Sequence, residues 1–430
     1  MAPKIAPVEA SAELPAQTEV AVIGGGIVGL AAALVLAERG IPVTVLEKGR
    51  IAGEQSSRNL GWVRKTSRAP ADLPLALAAD RLWAELPART GRDVGYRQAG
   101  IMFLARSEAE LQAHETWLGS VNGLGLGSRM LGAAEIGALV PGGAGSWAGG
   151  VFTPSDGRAE PTLAASTIAA AAIAKGAKII EGCAVRGLQT SGGRVSGVVT
   201  ERGEVTCNAV LLAGGLWSRR FLGNLGIALP ALPLTCSVFR TASMEGPTDI
   251  AVGGPDFSFR KHADGGYVIT QRGALSCPLV ADHLLIGMRY LHLLRDQRGL
   301  LRITVNRQSL DDLRLKRRWR QDRPSPFETV RVMDPPTIPT LNEEALANLS
   351  AAWPAFAGAR IEEAWAGTMD ITPDSNPVIG PAARIPGLTL ATGFSGHGFG
   401  TAPAAGQLAA DLVTGAPPLV DPAPYRLERF

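Results

Sequence analysis

EVAVIGGGIVGLAAALVLAERGIPVTVLEKG, residues 19 to 49, contains the pattern that decides the fold. Val20 to Ile23 is a short β-branched run suited to a buried parallel strand. Gly24, Gly26 and Gly29 follow as G-x-G-x-x-G, and Ile27, Leu30, Ala31, Leu34 and Val35 then recur at helical spacing. Arg39-Gly40 ends that helix, Val43 to Leu46 reads as a second strand, and Glu47 stands at its tip. Each part has a mechanical role in binding a dinucleotide. Gly24 permits the sharp turn, Gly26 lets backbone approach a pyrophosphate, and Gly29 lets helix pack on strand. Free amides at the helix start favour phosphate, and Glu47 can accept hydrogen bonds from ribose hydroxyls.

Three distant segments extend the pattern. IAGEQSSRNLGW (Ile51 to Trp62) comes directly after the ribose acid, with small polar groups at Ser56, Ser57 and Asn59 for a loop passing a diphosphate. AVLLAGGLWS (Ala209 to Ser218) is an apolar strand that ends in Ala213-Gly214-Gly215. GFSGHGFGT (Gly393 to Thr401) joins a strand at Leu388 to Ala391 to a helix through Ala404 to Leu412, which offers a second set of helix-start amides. A nicotinamide fold completes its site within one compact domain, whereas these segments span most of the chain. FAD is the expected cofactor.

Together the segments resemble the FAD-dependent D-amino-acid oxidase and glycine/sarcosine oxidase superfamily, most closely its bacterial D-amino-acid dehydrogenase and L-amino-acid deaminase branches. The resemblance implies an α/β fold, with a Rossmann-like FAD-binding domain interleaved with a mixed-sheet substrate domain. It places the first domain at about 1–95, 145–230 and 350–430, and the second at 96–144 and 231–349. By the same resemblance Gly24, Gly26, Ile27, Gly29, Glu47 and Lys48 hold the ADP half. Ser56, Ser57, Arg58, Asn59 and Gly61 line the diphosphate and flavin edge, and Val185 holds adenine through its backbone. Ala213, Gly214 and Trp217 flank the ribose and diphosphate. Gly393, Ser395, Gly396, His397, Gly398, Phe399, Gly400 and Thr401 face the flavin pyrimidine. Trp62 and Trp365 are candidates for the catalytic face.

Absences narrow the class. No CxxC accompanies the flavin loop, which argues against a disulfide reductase. The four cysteines (Cys183, Cys207, Cys236, Cys277) are scattered, and none lies in the C-terminal third where a cysteinyl-flavin link would form, so the FAD is expected to be non-covalent. The formal charge of +3, from 42 basic and 39 acidic residues, gives no reason to expect a nucleic-acid partner. Glycine, 52 of 430 residues, runs above the roughly 7% of average usage, and 46% hydrophobic residues supply a large core. No export signal or membrane span is read from the N-terminus, and a cytoplasmic location is expected.

In the second domain, Tyr96 to Ala105 reads as a strand, and Ser258 to Thr270 as two strands joined at Asp264-Gly265-Gly266. Leu284 to Leu301 and Asp312 to Arg320 read as helical. The basic run Arg314 to Arg320 reads as a solvated helix face, with peripheral contact to the inner membrane face as the competing reading.

The expected reaction is oxidation of the C–N bond of an amino acid or amine, with hydride passing to flavin N5 and the imine hydrolysing in water. Oxygen or a quinone would take the electrons. His397 could add a hydrogen bond or positive charge near the reduced flavin. A carboxylate substrate needs an arginine. In the glycine oxidase branch it follows a Trp-x-Gly motif, but here Trp365-Ala-Gly-Thr-Met-Asp370 places Met369 there. Arg260, in Phe259-Arg260-Lys261, is the candidate from the deaminase branch. Strand alternation leaves open which of Phe259 and Arg260 faces the flavin. Arg64, Lys65 and Arg289 are further candidates. The alternative from another class is a flavoprotein subunit whose FAD serves a partner.

Overall fold

A computed structural model describes residues 2–296 and 299–430. At its centre Val20–Ile23 lies parallel to Val43–Leu46 on one side and to Ala209–Leu212 on the other. Lys178–Ile180 and Leu388–Thr392 extend this sheet in parallel, and antiparallel Val378–Pro381 closes one edge. The helix Ile27–Glu38 follows the first strand and is buried on nearly every side, between Pro161–Ala174 and Gly398–Thr414. Its apolar residues therefore run all round the helix rather than in one stripe. Close packing explains two glycines. A Cβ at Gly29 would lie 2.3 Å from the Gly24 carbonyl, and one at Gly406 would lie 2.6 Å from the Ala31 Cβ.

The second layer is a ten-stranded mixed sheet built around Leu232–Thr241 and Ile361–Ile371. The predicted hairpin is present: Ser258–Lys261 pairs antiparallel with Tyr267–Thr270. One face packs on the helix Pro339–Ala352 through Phe257, Phe259, Tyr267, Trp353 and Phe356. The opposite face looks toward the parallel sheet. Gly149–Thr153 and Ile361–Ile371, within the segments 145–230 and 350–430 assigned by resemblance to the FAD-binding domain, pair in the mixed sheet instead.

Three local expectations need correction. The strand read as Tyr96 to Ala105 begins only at Ile101, because Gly100 holds a left-handed φ of 80° that an extended strand lacks. The long helix read from Leu284 to Leu301 is divided. Helices Ala281–Ile286 and Leu291–Asp296 flank a 3-10 turn, Leu301–Thr304 is a strand, and residues 297 and 298 lie outside the described residues. The helix read at Asp312 to Arg320 instead spans Arg307–Arg314, opened by Asn306, whose side chain accepts from the Gln308 and Ser309 amides. It stops before the cluster Lys316, Arg317, Arg318. Trp319 packs on Phe327 and donates to the Arg186 carbonyl at 2.8 Å. The basic run is therefore not a helix face.

Candidate active site

A cavity of about 310 Å³ runs from the Gly24 turn along the C-terminal ends of the parallel strands to the mixed sheet. That is where open α/β sheets bind ligands. Gly24 takes φ 110°, and a Cβ there would lie 2.5 Å from the Ala213 carbonyl, so a side chain would drive the two turns apart. Gly26 lies under Ser56, whose Oγ accepts from the Ile27 amide at 2.9 Å. Glu47 reaches back over the turn. Its two oxygens accept from the Gly25 and Gly49 amides, both at 2.7 Å. Burial raises its carboxyl above 4.5 despite Lys48 and these amides, so additional donors on this carboxylate would be favourable. Val185, Ala213, Gly214 and Trp217 also line the cavity, as a dinucleotide site requires.

Glu54 is a hub that sequence reasoning missed. It accepts from the Trp217 indole at 2.9 Å, from Lys48 Nζ at 2.7 Å and from the Met333 amide at 2.9 Å. Lys48 Nζ also stands 4.3 Å from the centre of the Trp217 ring. The tryptophan wall is thus fixed in place. Asp370 is a second missed hub. It accepts from Gln55 Nε2 and from the Gly393 amide, both at 2.8 Å, and burial raises its carboxyl above 3.8. The flavin loop and the glycine loop 393–401 are tied together through it. Acids that act through partners so far apart in the chain carry no spacing signal.

The structure separates the predicted residues into liners and supports. Gly24, Gly26, Ile27, Glu47, Lys48, Ser56, Arg58, Asn59, Gly396, Gly398 and Phe399 line the cavity, whereas Gly29, Ser57, Gly61, Gly393, Ser395, Gly400 and Thr401 do not. Arg58 pins its loop, donating to Asp334 at 2.6 Å and to the Ala366 carbonyl at 2.9 Å. Ser395 hydrogen-bonds Thr372 and holds the loop's curvature. Trp365 is buried beside Val238 and Val268 and donates to the Arg58 carbonyl at 2.9 Å. It supports the flavin loop without reaching the cavity. Trp62 packs on Phe103, with ring centres 5.4 Å apart, and its buried indole N–H has no partner.

Arg260 is not available to a substrate. Its fork meets Glu160 in two hydrogen bonds of 2.7 and 2.8 Å, and its Nε donates to the Leu60 carbonyl at 2.5 Å. The residue is 1% exposed and Phe259 points into the opposite core. Alternation thus sent Arg260 toward the parallel sheet, but Glu160 captures it. Lys65 is likewise held by Asp80 and Asp156, and Arg289 donates to the Phe430 carbonyl on the surface.

Two other guanidinium groups have no acid partner among the described residues. Arg64 and Arg272 both lie against the Phe103 ring, 5.6 and 4.4 Å from its centre. Arg64 Nη2 is 3.2 Å from His397 Nε2, and Arg272 lies in the bend just after the strand that ends at Thr270, a cavity liner. Burial and the repulsion of Arg68 and Arg272 lower Arg64 to about 9. Burial, with the positive charges of Arg68 and Arg64, holds His397 well below 6.5. His397 is therefore neutral, which removes the positive charge expected of it; its Nδ1 has no partner. Across the cavity, Cys236, Val238 and Met369 form the mixed-sheet wall. Burial pushes the Cys236 thiol up to about 12, far from a reactive thiolate.

A family model described as DAO, FAD dependent oxidoreductase, matches residues 19–412. The chain belongs to this family. It is an FAD-dependent enzyme of the amino-acid oxidase and dehydrogenase class. The L-amino acid deaminase from Proteus myxofaciens, solved with anthranilate, superposes with a TM-score of 0.94 at 32% identity, over 99% of this chain and 96% of that one. The L-amino acid deaminase from Proteus vulgaris gives 0.93 at 33%, over 98% and 100%. Glycine oxidase from Pseudomonas aeruginosa is 28% identical over 414 residues, 94% of this chain and 97% of the relative.

Proposed function

We propose that this enzyme oxidises the C–N bond of an α-amino acid, giving an imine that water converts to the keto acid. The Arg64 and Arg272 pair carries the reading. Two like charges, partly desolvated against one aromatic ring, are costly unless an anion joins them. Arg64 stands four positions after Leu60 and Arg272 two after Thr270, both of which line the cavity. A substrate carboxylate is the anion that fits, and Arg forks bind it with defined orientation.

The residues fit FAD held without a covalent link. The Gly24 turn leaves no room for a side chain, Glu47 sits where ribose hydroxyls would donate, and Cys236 is a protonated thiol. When bound, FAD supplies a two-electron acceptor. The protein orients the substrate and tunes charge. Arg64 and Arg272 fix the carboxylate and so aim the α-carbon. The free amides at the start of Gly398–Thr414 favour negative charge beside Gly396 and Gly398. Neutral His397 contributes a hydrogen bond and no charge. Thr270, Val238 and Cys236 cover the site from the mixed sheet and limit water until the substrate has reacted.

Substituting Arg272 tests the reading. Arg272→Gln should raise KM for an amino acid at least tenfold and leave the matching amine, which lacks the carboxylate, nearly unchanged. Equal effects on the two substrates would remove the arginine pair from recognition.

A further inference from the structure

Asp156 is fully buried in the turn between the strands Gly149–Thr153 and Gly157–Arg158. Among the described residues its carboxylate finds partners only in Lys65 and Thr66, the two positions that follow Arg64. One oxygen accepts from the Lys65 amide at 2.8 Å and stands 3.2 Å from Lys65 Nζ. The other accepts from the Thr66 amide at 3.1 Å and from the Thr66 hydroxyl at 2.5 Å. A buried carboxylate needs such donors to offset its desolvation. Two consecutive backbone amides aimed at one acid also leave the chain a single curl at 64–66, which an apolar side chain in the same place could not impose.

That curl decides where Arg64 points. Ser67 comes next with a left-handed φ of 56°, a conformation that a residue with a side chain keeps only where its surroundings enforce it. Arg68 closes the turn from the other side. Its amide donates to the Lys65 carbonyl at 3.2 Å and its Nε to the Arg64 carbonyl at 2.8 Å, while Asp72 holds its guanidinium. The Arg64 side chain folds back over this turn, with Nη1 donating to the Thr66 carbonyl and Nη2 meeting His397. Thr66 therefore holds Asp156 through its amide and hydroxyl, and Arg64 through its carbonyl. Thr153 fixes the same hydroxyl at 2.6 Å. Asp156 and Asp72 also offset part of the cost of burying the Arg64 charge.

We propose that Asp156 is a positioning residue for substrate recognition: through the curl of 64–66 and the Thr66 carbonyl it fixes the direction of the Arg64 guanidinium. The inference rests on the assignment of Arg64 to the substrate carboxylate. Asp156 itself does not line the cavity, so its effect passes through Arg64. A guanidinium already held in its binding direction loses little freedom when the carboxylate arrives. A displacement of about 1 Å at such a contact is worth about a hundredfold.

Benzoate, a carboxylate with no α-hydrogen to transfer, reads the site without turnover when titrated against the flavin absorbance of the FAD-loaded full chain. Asp156→Asn keeps the size of the side chain but offers one acceptor oxygen where the Lys65 and Thr66 donors converge. Thr66→Val keeps both amides and removes only the hydroxyl. Asp156→Asn should weaken benzoate about tenfold and Thr66→Val about threefold, with FAD retained. Arg64→Gln should itself weaken benzoate about tenfold, and in that background neither substitution should weaken it further. A merely structural role would lower affinity equally in both backgrounds. Full additivity with Arg64→Gln, or wild-type affinity in both single variants, would overturn the proposal and leave Arg64 in recognition. If Asp156→Asn fails to retain FAD, Thr66→Val decides by the same two criteria. Absence of benzoate binding in wild type, or unchanged binding by Arg64→Gln, would overturn the assignment of Arg64 and the proposal with it.

Discussion

Arg260 and Glu160 form a two-pronged ion pair, 2.7 and 2.8 Å between donors and acceptors, almost wholly buried beneath the flavin loop. The Ala263 amide donates to the same carboxylate at 3.0 Å. Arg260 holds Glu160 below 4.5 although burial alone would raise it. The pair also reaches the Leu60 carbonyl, so it joins the substrate-side hairpin to the loop that carries Asn59. Gly61 makes room for it: a Cβ there would lie 2.8 Å from the arginine Nε. This arginine is architectural.

Breaking the pair should therefore cost stability before recognition. Glu160→Gln leaves a buried guanidinium without its counter-charge, which costs about 3–5 kcal/mol. Denaturant unfolding should show that loss, while KM for the amino acid, measured on the folded fraction, should stay within about twofold. A large KM change at wild-type stability would return Arg260 to the substrate site.

Glu47→Gln should weaken FAD by about 1.5–3 kcal/mol, the range for hydrogen bonds to a charged acceptor. Fluorescence titration of the apoprotein measures this directly. Heat or acid precipitation should release the flavin intact from wild type, because burial keeps the Cys236 thiol protonated and unreactive. Yellow colour in the precipitate would contradict the non-covalent assignment.

His397 gives a pH signature. Its folded pKa lies well below 6.5, so near pH 6 the unfolded chain takes up a proton that the folded chain refuses. Stability at this site is then full above about 6.5 and declines as pH falls below it. The drop in melting temperature from pH 7.5 to 5.5 should be smaller in His397→Asn than in wild type. An identical drop would show that His397 is accessible and ordinary.

Much of this was legible in the sequence because it rests on local patterns. The Gly24, Gly26, Gly29 turn and Glu47 lie within one strand-helix-strand unit, and the Asp264-Gly265-Gly266 hairpin announces itself by spacing. Glu54 and Asp370 were not legible. Each works through partners scattered across the chain, Met333 and Trp217 for the first and Gln55 and Gly393 for the second. Arg260 shows the same limit. Alternation left open whether it or Phe259 faces inward, and only the fold shows Glu160, one hundred positions earlier, waiting there. Arg272 was hidden for the converse reason, since it lies beyond the regular strand Tyr267–Thr270.

Anaerobic stopped-flow reduction of the flavin, with α-amino acids of both chiralities set beside the amines that lack only the carboxylate, tests the central claim most directly. The account predicts that at least one amino acid bleaches the wild-type flavin, that its decarboxylated partner does so much more slowly at equal concentration, and that Arg64→Gln and Arg272→Gln erase this difference. Bleaching by the amine as fast as by the amino acid, or no bleaching by any substrate in a chain that has retained its FAD, would contradict it.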